Sequence, residues 1–210
     1  MIHNLFPTPI YIHEPDNRKD AVQQEIQSCL DKALKEKDLE AFSSFSIDIQ
    51  REESNRSLFF NKRNLLERYD LEKFKNLIVE QVKNYVHATR WNYAFDPKTP
   101  WNGDINIYDC IFYRTKTNDF RDEHTHPFHH ISGVYYHKID KDHGSIYFKN
   151  PVHTLADCQF PEGPKSPNKI EVHPAEGTLL LFPSWLSHGT NPSVSNNERI
   201  TVVFNIDLIT

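Results

Sequence analysis

The sequence predicts a mainly β domain with flanking α-helices, arranged as an antiparallel sandwich or barrel. In the second half of the chain, about six segments rich in β-branched and aromatic residues follow one another with short turns and no intervening helix. In the first half, two stretches space their apolar residues at helical intervals. The 210 residues suit a single domain that is long enough to bury a substantial core.

The N-terminal half is predicted to hold one strand and two amphipathic helices. Residues 4–13 contain two prolines, Pro7 and Pro9, which lack the amide donor that an inner strand needs, so this strand belongs at a sheet edge. Apolar spacing predicts one helix over 16–37 and a second over 70–86, with Asp70 as the N-cap of the second. Residues 38–60 are predicted to form a loop with short extended pieces. Both helices are expected to pack on the outside of a sheet.

The C-terminal half is predicted to form the sheets after a proline-containing break at 96–100. The expected strands cover residues 105–113, 131–137, 145–149, 170–173, 178–182 and 199–206. Gly144 and Gly177 lie where turns are expected, and residues 156–168 are predicted to form a surface loop or lid. Such folds bind ligands where strand ends converge, so distant segments can contribute to one site.

Charge and cysteine content limit the classes of protein that fit the chain. The net charge of −5 and the pI near 6.2 argue against wholesale binding of nucleic-acid phosphate. Cys29, Cys110 and Cys158 form no CxxC pair, which favours reduced thiols and a cytoplasmic location. We find no signal peptide and no run of about 18 apolar residues, so we expect no membrane span. The helices could pair two chains in a homodimer, and the sequence leaves this open.

Two histidines one residue apart predict half of a metal site. On a strand, His124 and His126 would project to the same face because side chains alternate with period two. Neutral imidazole is the commonest metal-binding side chain. His188 follows a later strand and adjoins Gly189, which permits close approach, so His188 could close the site. The hypothesis is one mononuclear site, with Fe(II) as the favoured metal.

Arg199 predicts an anion-binding position. It opens the apolar strand 199–206, where a guanidinium is costly unless it meets an anion. A carboxylate would fit its planar fork in a bidentate manner. The alternative is a salt bridge between Arg199 and Glu198 or another acid of the chain.

Four segments in the second half of the chain resemble the 2-oxoglutarate- and Fe(II)-dependent oxygenase superfamily. They are the HTHP segment 124–127, the SGVYY segment 132–136, the segment 176–188 with LLFPSWLSH, and the segment 198–205 with ERI and FN. More closely, they resemble a family of that superfamily found in bacteria and their phages, with motifs of the form HxHP, SGVYY and FPSWLxH. The resemblance covers residues 101–206, about half of the chain.

The resemblance implies a double-stranded β-helix, the cupin-like jelly roll, with Fe(II) and 2-oxoglutarate bound at one end. Residues 1–210 would form one oxygenase domain. Within it, 1–100 would supply the N-terminal strand and supporting helices, and 101–210 would form the jelly-roll core with the metal site.

The resemblance also implies roles for individual residues. His124 matches the first histidine of the proximal motif, and His188 matches the distal metal histidine. Arg199 matches the basic residue that holds the distal carboxylate of 2-oxoglutarate, and Thr201 could add a hydroxyl from the same strand face. Tyr113 is expected at the cofactor pocket. Further aromatic residues that could line this pocket are Tyr108, Phe112 and Tyr136.

The second histidine departs from the superfamily pattern, which usually has a carboxylate at the position of His126. Either three histidines bind the iron, or a nearby acid supplies the carboxylate. The nearest acids are Asp119, Asp122 and Glu123. Because Glu123 would project to the strand face opposite His124, three histidines are favoured.

The function that the resemblance implies is that of an enzyme. It would be a dioxygenase that uses O2 and 2-oxoglutarate to hydroxylate an unknown small-molecule or peptidyl substrate, with succinate and CO2 as co-products. The alternative is a cupin-like metal enzyme or sugar-binding module that does not use 2-oxoglutarate. The cupin pattern places a glutamate a few residues after the histidine pair, and residues 128–132 contain none. A third hypothesis is a non-enzymatic binding protein that keeps the fold without the metal.

Overall fold

The computed structural model describes residues 8–43, 63–89, 103–151 and 168–209. Several sequence predictions fall wholly or largely outside these described residues: the beginning of the strand at 4–13, most of the loop at 38–60, the break at 96–100 and the lid at 156–168. The described part of the chain begins with one strand, continues with helices and ends with the other strands, in the predicted order.

The N-terminal half forms helices, as predicted. Helix α1 spans Lys19–Lys35, helix α2 spans Leu65–Arg68 and helix α3 spans Glu72–Thr89, with a 3₁₀ turn at Leu39–Ala41. Helix α1 buries residues at helical spacing, including Val22, Ile26, Cys29, Leu30 and Ala33. Helix α3 does the same with Phe74, Leu77, Ile78, Val82 and Tyr85. Both predicted helices are confirmed, whereas α2 is too short to give a periodic signal.

The start of α3 differs from the prediction that Asp70 is its N-cap. The Lys75 N–H donates to the Leu71 carbonyl at 2.9 Å, so the helical hydrogen bonds begin after Asp70. The Glu25 carboxylate of α1 accepts hydrogen bonds from the Lys73 and Phe74 N–H groups, at 3.1 and 2.8 Å. The free amides of the first turn are therefore capped by a neighbouring helix, which local sequence does not reveal.

Nine strands are present in the described ranges, and seven of them overlap predicted segments. They are β1 Tyr11–His13, β2 Asp104–Thr115, β3 Arg121–His124, β4 Ile131–Lys138, β5 Ile146–Lys149, β6 Lys169–Val172, β7 Leu179–Pro183, β8 His188–Thr190 and β9 Arg199–Ile209. Strands β3 and β8 have four and three residues, too few for alternation to define them.

The strands form two antiparallel sheets. The larger sheet has the order β1-β7-β4-β9-β2, and the smaller sheet has the order β3-β8-β5-β6. Strand β1 lies at an edge of the larger sheet, which confirms the prediction from its prolines. Most neighbouring strands are distant in sequence, so the chain passes repeatedly from one sheet to the other, as in a jelly roll.

Helices α1 and α3 cover one face of the larger sheet, as predicted, and the smaller sheet lies against the other face. The helix-facing core combines Ile26 of α1, Phe74 of α3 and Ile206 of β9. A second apolar cluster between the sheets contains Phe148 and Phe182, whose ring centroids lie 4.9 Å apart. The remaining space between the sheets is a cavity, described below.

A β-bulge interrupts strand β2. Tyr108 pairs with Asn205 and Ile111 pairs with Val203, so β2 has one residue more than β9 between these two pairs. Asp109 lies in this bulge with a φ of 50°, a left-handed conformation that Asp tolerates better than most residues.

The bulge reverses the alternation of side chains along β2. Before it, Ile105 and Ile107 pack against the helix-facing core. After it, Cys110 and Phe112 belong to that core. The intervening residues Asp109, Ile111 and Tyr113 face the space between the sheets.

The described cysteines, Cys29 and Cys110, are buried free thiols, in agreement with the predicted reduced state. Cys158 lies outside the described residues. Within the described ranges, every helix is too short or too polar to cross a membrane.

Candidate metal centre

A cavity of about 370 Å³ lies between the two sheets. Strands β2 and β9 of the larger sheet contribute to one wall, and β3 and β8 of the smaller sheet contribute to the opposite wall. All six site residues predicted from the sequence line it: His124, His126, His188, Arg199, Thr201 and Tyr113. The fold thus gathers side chains from four strands and a loop into one space.

Three imidazoles meet in this cavity. One ring nitrogen of each can be chosen so that all three nitrogens lie within 4.8 Å of one another. The ring centroids of His124 and His188 are 4.3 Å apart, and that of His126 lies 5.0 Å from the first and 5.2 Å from the second. Imidazole nitrogens bind a metal at about 2.1 Å. Small side-chain movements would therefore bring all three nitrogens to one ion.

Backbone carbonyls orient two of the three rings. The His124 Nδ1–H donates to the Asp122 carbonyl at 2.7 Å, and the His188 Nδ1–H donates to the Leu186 carbonyl at 2.9 Å. A ring that donates from Nδ1 keeps its lone pair on Nε2, which is the form that a metal ligand requires. Both rings are therefore prepared to coordinate through Nε2.

Burial keeps these imidazoles neutral. Burial and repulsion from the other histidines lower the pKa of His126 to about 3. The pKa of His188 falls to about 4, chiefly through burial, and burial lowers the pKa of His124 as well. A neutral imidazole can bind a cation without first losing a proton.

His126 reaches the cluster from a loop, which corrects the prediction that a strand carries both histidines. Strand β3 ends at His124, and His126 lies two residues beyond it. The backbone N–H of His126 donates to the Ser184 carbonyl at 2.9 Å, so the loop is fixed against the segment that precedes β8. The His126 ring therefore lies in the histidine cluster, as predicted, although a loop and not a strand carries it.

Two of the three nearby acids have other partners. Glu123 accepts a hydrogen bond from Ser187 Oγ at 2.9 Å and forms an ion pair with Lys149 at 3.1 Å. Asp119 accepts from the backbone N–H of Lys116 at 2.8 Å. Among the described residues, the group with metal-ligand spacing contains the three histidines and no carboxylate.

Arg199 is 3% exposed and lies in the wall of the same cavity. Its Nη1 donates to the Gly144 carbonyl at 2.8 Å, and its Nη2 donates to Thr115 Oγ1 at 3.2 Å. Its Nε is buried and has no hydrogen-bond partner among the described residues. Glu198 pairs instead with Arg114 at 2.7 Å, so the predicted alternative of a bridge to Glu198 is wrong. A carboxylate ligand would satisfy N–H groups of Arg199 that these two hydrogen bonds leave over.

Thr201 and Tyr113 are paired residues on β9 and β2, one alternation step from Arg199. The Thr201 hydroxyl donates to the Tyr113 carbonyl at 3.4 Å. Both residues line the cavity.

The predicted aromatic lining is only partly present. Tyr136 faces the cavity, as expected. Phe112 faces the helices, because the bulge in β2 reverses the alternation. Tyr108 is 37% exposed, and its ring lies beside that of His129, outside the cavity.

A row of polar side chains on the cavity wall escapes the sequence prediction. Ser132 Oγ lies 2.8 Å from Ser184 Oγ and donates to Asn205 Oδ1 at 2.9 Å. Asn205 Nδ2 donates to Asp109 Oδ2 at 3.4 Å. Ser132, Ser184 and Asn205 occur in the motifs quoted above, which is the sequence signal that could have singled them out. Asp109 belongs to no motif.

Two solved structures share this fold. A prolyl hydroxylase from Trichoplax adhaerens, in complex with a hypoxia inducible factor peptide fragment, is 12% identical with a TM-score of 0.53, over 94% of this chain and 83% of that chain. HygX from Streptomyces hygroscopicus, with nickel and 2-oxoglutarate bound, is 13% identical with a TM-score of 0.53, over 95% of this chain and 82% of that chain. These similarities confirm the predicted double-stranded β-helix.

The predicted resemblance to the 2OG-Fe(II) oxygenase superfamily is confirmed by a family match and by the shared fold. Within the superfamily, residues 110–205 match the model of the family described as "Putative 2OG-Fe(II) oxygenase". This range contains the three histidines and Arg199. Fe(II) and 2-oxoglutarate, the cofactors predicted from the sequence, are those that the family description names, and the prediction is confirmed. Comparison with curated proteins gives no match.

Proposed function

We propose that the protein is a 2-oxoglutarate-dependent dioxygenase that hydroxylates its substrate and releases succinate and CO2. One observation carries the proposal: three neutral imidazoles and a buried guanidinium without an acidic partner among the described residues line one cavity. The superfamily supplies the reaction class, and the cavity supplies the residues. We place this activity in a single domain of residues 1–210, with the site in the part after residue 100.

His124, His126 and His188 would hold the Fe(II). The clustered nitrogens, the neutral rings and the Nδ1 hydrogen bonds of His124 and His188 all suit this role. The superfamily's usual ligand set includes one carboxylate, which cancels part of the metal charge. Three imidazoles cancel none of it, so an anionic cosubstrate would meet a more positive centre.

Arg199 would bind the distal carboxylate of 2-oxoglutarate. The Gly144 carbonyl and the Thr115 hydroxyl fix two of its nitrogens, while Nε remains for a ligand. A guanidinium can offer Nε and one Nη in parallel to the two oxygens of a carboxylate. Thr201 and Tyr113 lie beside this position and would complete the pocket.

The walls between these groups would limit the access of water. Ile111, Val203 and Phe182 contribute apolar surface to the cavity. In surroundings with little water, the pairing between a guanidinium and a carboxylate is stronger than in bulk solvent. When bound, Fe(II) and 2-oxoglutarate supply the O2-dependent oxidation of a substrate C–H bond.

Metal titration tests the histidine set. We expect the chain to bind one Ni(II), and we expect His124→Ala, His126→Ala and His188→Ala each to lower the affinity by at least about 100-fold, measured by isothermal titration calorimetry. His130→Ala serves as the matched control, because that side chain is 57% exposed and lies outside the cluster. Wild-type affinity in His126→Ala would show that an acid, not His126, is the third ligand.

Succinate formation tests the cosubstrate role of Arg199. With Fe(II) and O2, the wild-type protein should convert 2-oxoglutarate to succinate, and Arg199→Ala should lose most of this activity. Arg114→Ala is the matched control, since the Arg114 guanidinium pairs with Glu198. Normal succinate production by Arg199→Ala would refute the assignment of Arg199.

Two other outcomes would favour the alternative functions. A protein that binds one metal ion and fails to bind 2-oxoglutarate would be a cupin-like metal enzyme or sugar-binding module. A protein that binds no metal, with His188→Ala indistinguishable from wild type, would be a non-enzymatic binding protein.

A further inference from the structure

Four charged side chains of the described residues line the cavity: the arginines Arg63, Arg121 and Arg199, and one acid, Asp109. Along β9, Arg199, Thr201, Val203 and Asn205 line it in turn. The hydrogen bond from Asn205 brings Asp109 of β2 to the far end of this row. Six residues of strand span about 20 Å, so Asp109 lies roughly that far from Arg199. The assignment of Arg199 to the cosubstrate leaves Asp109 without a role.

Asp109 faces the cavity because of the bulge in β2. The extra residue turns Asp109 away from the helix-facing core that includes Ile107 and Cys110. Its φ of 50° is a conformation that non-glycine residues seldom adopt and that is concentrated at functional sites. Bulges next to active sites commonly re-aim a side chain in this way. Asp109 is also the only acid among the described residues that line the cavity.

A row of hydrogen bonds that all run in one direction ends at Asp109. The Ser132 hydroxyl donates to Asn205 Oδ1 at 2.9 Å, so Ser184 is the donor in the 2.8 Å contact between the two serines. Asn205 Nδ2 then donates to Asp109 Oδ2 at 3.4 Å. Every donor of the row points toward the carboxylate, and such rows reinforce each other. In this row the Asp109 carboxylate acts as the final acceptor.

The part of the larger sheet that contains Ser132 and Asn205 lies next to the histidines. Ser132 pairs in register with Phe182 on one side and with Asn205 on the other. The Phe182 ring centroid is 4.6 Å from that of His188. The histidine cluster therefore lies at the level of Asn205 along the larger sheet, near Asp109.

One oxygen of Asp109 remains for a ligand. Oδ2 takes the Asn205 hydrogen bond and lies 3.9 Å from His129 Nε2. Oδ1 has no hydrogen bond to a described residue. The other nitrogen of His129 is closer to Asp207, at 3.2 Å. A partly buried carboxylate with a vacant acceptor position is best satisfied by a cationic donor.

We propose that Asp109 anchors the substrate, and that this substrate carries a protonated amine. The inference rests on the proposed function, which assigns the metal to the histidines and 2-oxoglutarate to Arg199. The ammonium group would bind the Asp109 carboxylate, and the adjoining carbon chain would pack on Ile111 and Val203. The reacting carbon would then lie within a few bonds of the amine, because Asp109 and the histidines are at the same level of the sheet.

Three probes of equal length test the charge preference: hexylammonium, 1-hexanol and hexanoate. Their dissociation constants are measured by ligand-observed NMR on the full chain, both metal-free and loaded with Ni(II) and 2-oxoglutarate. We expect hexylammonium to bind about tenfold more tightly than hexanol, the difference between a charge-assisted and a neutral hydrogen bond. In the form loaded with Ni(II) and 2-oxoglutarate, where the cosubstrate would occupy Arg199, hexanoate should bind no better than hexanol. Asp109→Asn should abolish the tenfold preference while hexanol affinity stays the same.

The variants separate binding from structure. Asparagine adopts the left-handed conformation as readily as aspartate, so Asp109→Asn retains the bulge. Asp207→Asn is the matched control, because it removes a neighbouring acid that pairs with His129 and does not line the cavity. This control should keep the preference. Wild-type protein without an amine preference, an unchanged preference in Asp109→Asn, or an equal loss in Asp207→Asn would each overturn the proposal.

Measurements on the metal-free and the loaded protein distinguish a failure of this proposal from a failure of the proposed function. A failure to bind Ni(II) or 2-oxoglutarate would contradict the oxygenase assignment, and the metal-free titration would still measure the amine preference. Conversely, full binding of both cofactors without an amine preference would refute the role of Asp109 alone.

Discussion

Alternate residues of strand β9 lie in two different environments. Those that pack against the helices are apolar and at most 4% exposed: Ile200, Val202, Phe204 and Ile206. Those that line the cavity include polar residues that are almost as deeply buried: Arg199, Thr201 and Asn205, at 3, 4 and 7% exposure. The strand is buried on both sides, and the two sides differ in chemistry.

The apolar residues that face the helices stabilise the fold, whereas burial of the polar residues that face the cavity costs free energy. Burial of a large apolar side chain contributes about 1.5–3 kcal/mol to the free energy of folding. Burial of a polar group without a full set of hydrogen bonds costs roughly 1–3 kcal/mol. The helix-facing layer must therefore offset the cost of the cavity-facing one. Substitutions on the two faces should have different consequences.

The largest effect on stability is expected for Phe74→Ala on the helix side. The Phe74 ring is fully buried, with centroids 5.2 Å from Tyr135 and 6.2 Å from Phe204. Loss of a buried phenylalanine ring typically costs about 3–5 kcal/mol. Urea denaturation measures this loss, and Phe120→Ala, at a 53% exposed position, serves as the control. Equal stability of the two variants would mean that the helices do not support the sheet.

On the cavity side, Arg199→Met should lower ligand affinity while sparing the fold. Removal of one partner of a buried charge pair costs about 2–5 kcal/mol of binding free energy, so calorimetry should show 2-oxoglutarate affinity reduced by that amount. The unfolding free energy should fall by no more than about 1 kcal/mol, because methionine removes a buried charge with an unpaired Nε. A stability loss as large as that of Phe74→Ala would show that Arg199 is a structural residue.

The sequence reveals much of this two-sided arrangement because it is periodic. Alternation in 199–206 and helical spacing in 16–37 and 70–86 predict the elements and their buried sides. Strands β3 and β8 are too short for a periodic signal, although they carry His124 and His188. The residue type and spacing of these histidines identify them even though the strands that carry them give no periodic signal.

The parts of the site that the sequence does not predict depend on contacts between distant segments. The hydrogen bond from Asn205 to Asp109 joins residues 96 positions apart. The bulge that turns Asp109 into the cavity contains no glycine, so the sequence carries no signal for it. The cap of α3 by Glu25 similarly requires two helices to be side by side before it exists.

This cap gives a smaller test of the helix-facing layer. Glu25→Ala removes the acceptor for two N–H groups at the start of α3 and should lower the unfolding free energy by about 0.5–2 kcal/mol, as for other N-caps. Gln24→Ala is the matched control. Gln24 is an exposed neighbour on the same helix, and both variants introduce alanine, so the helix propensity of the new residue is the same in the two. If both variants unfold at the same urea concentration, the cap has no energetic role.

The smallest effect is expected for Glu198→Gln, and it tests whether Arg199 truly lacks an acidic partner. Glu198 pairs with Arg114, and both side chains are about 30% exposed, so the pair should contribute less than about 1 kcal/mol. The affinity for 2-oxoglutarate should be unchanged, because the glutamate does not contact the Arg199 guanidinium. If Glu198 instead neutralised Arg199, its removal would free the guanidinium and raise that affinity. Calorimetry on Glu198→Gln and on wild type therefore distinguishes a guanidinium reserved for a ligand from one that already has an acid.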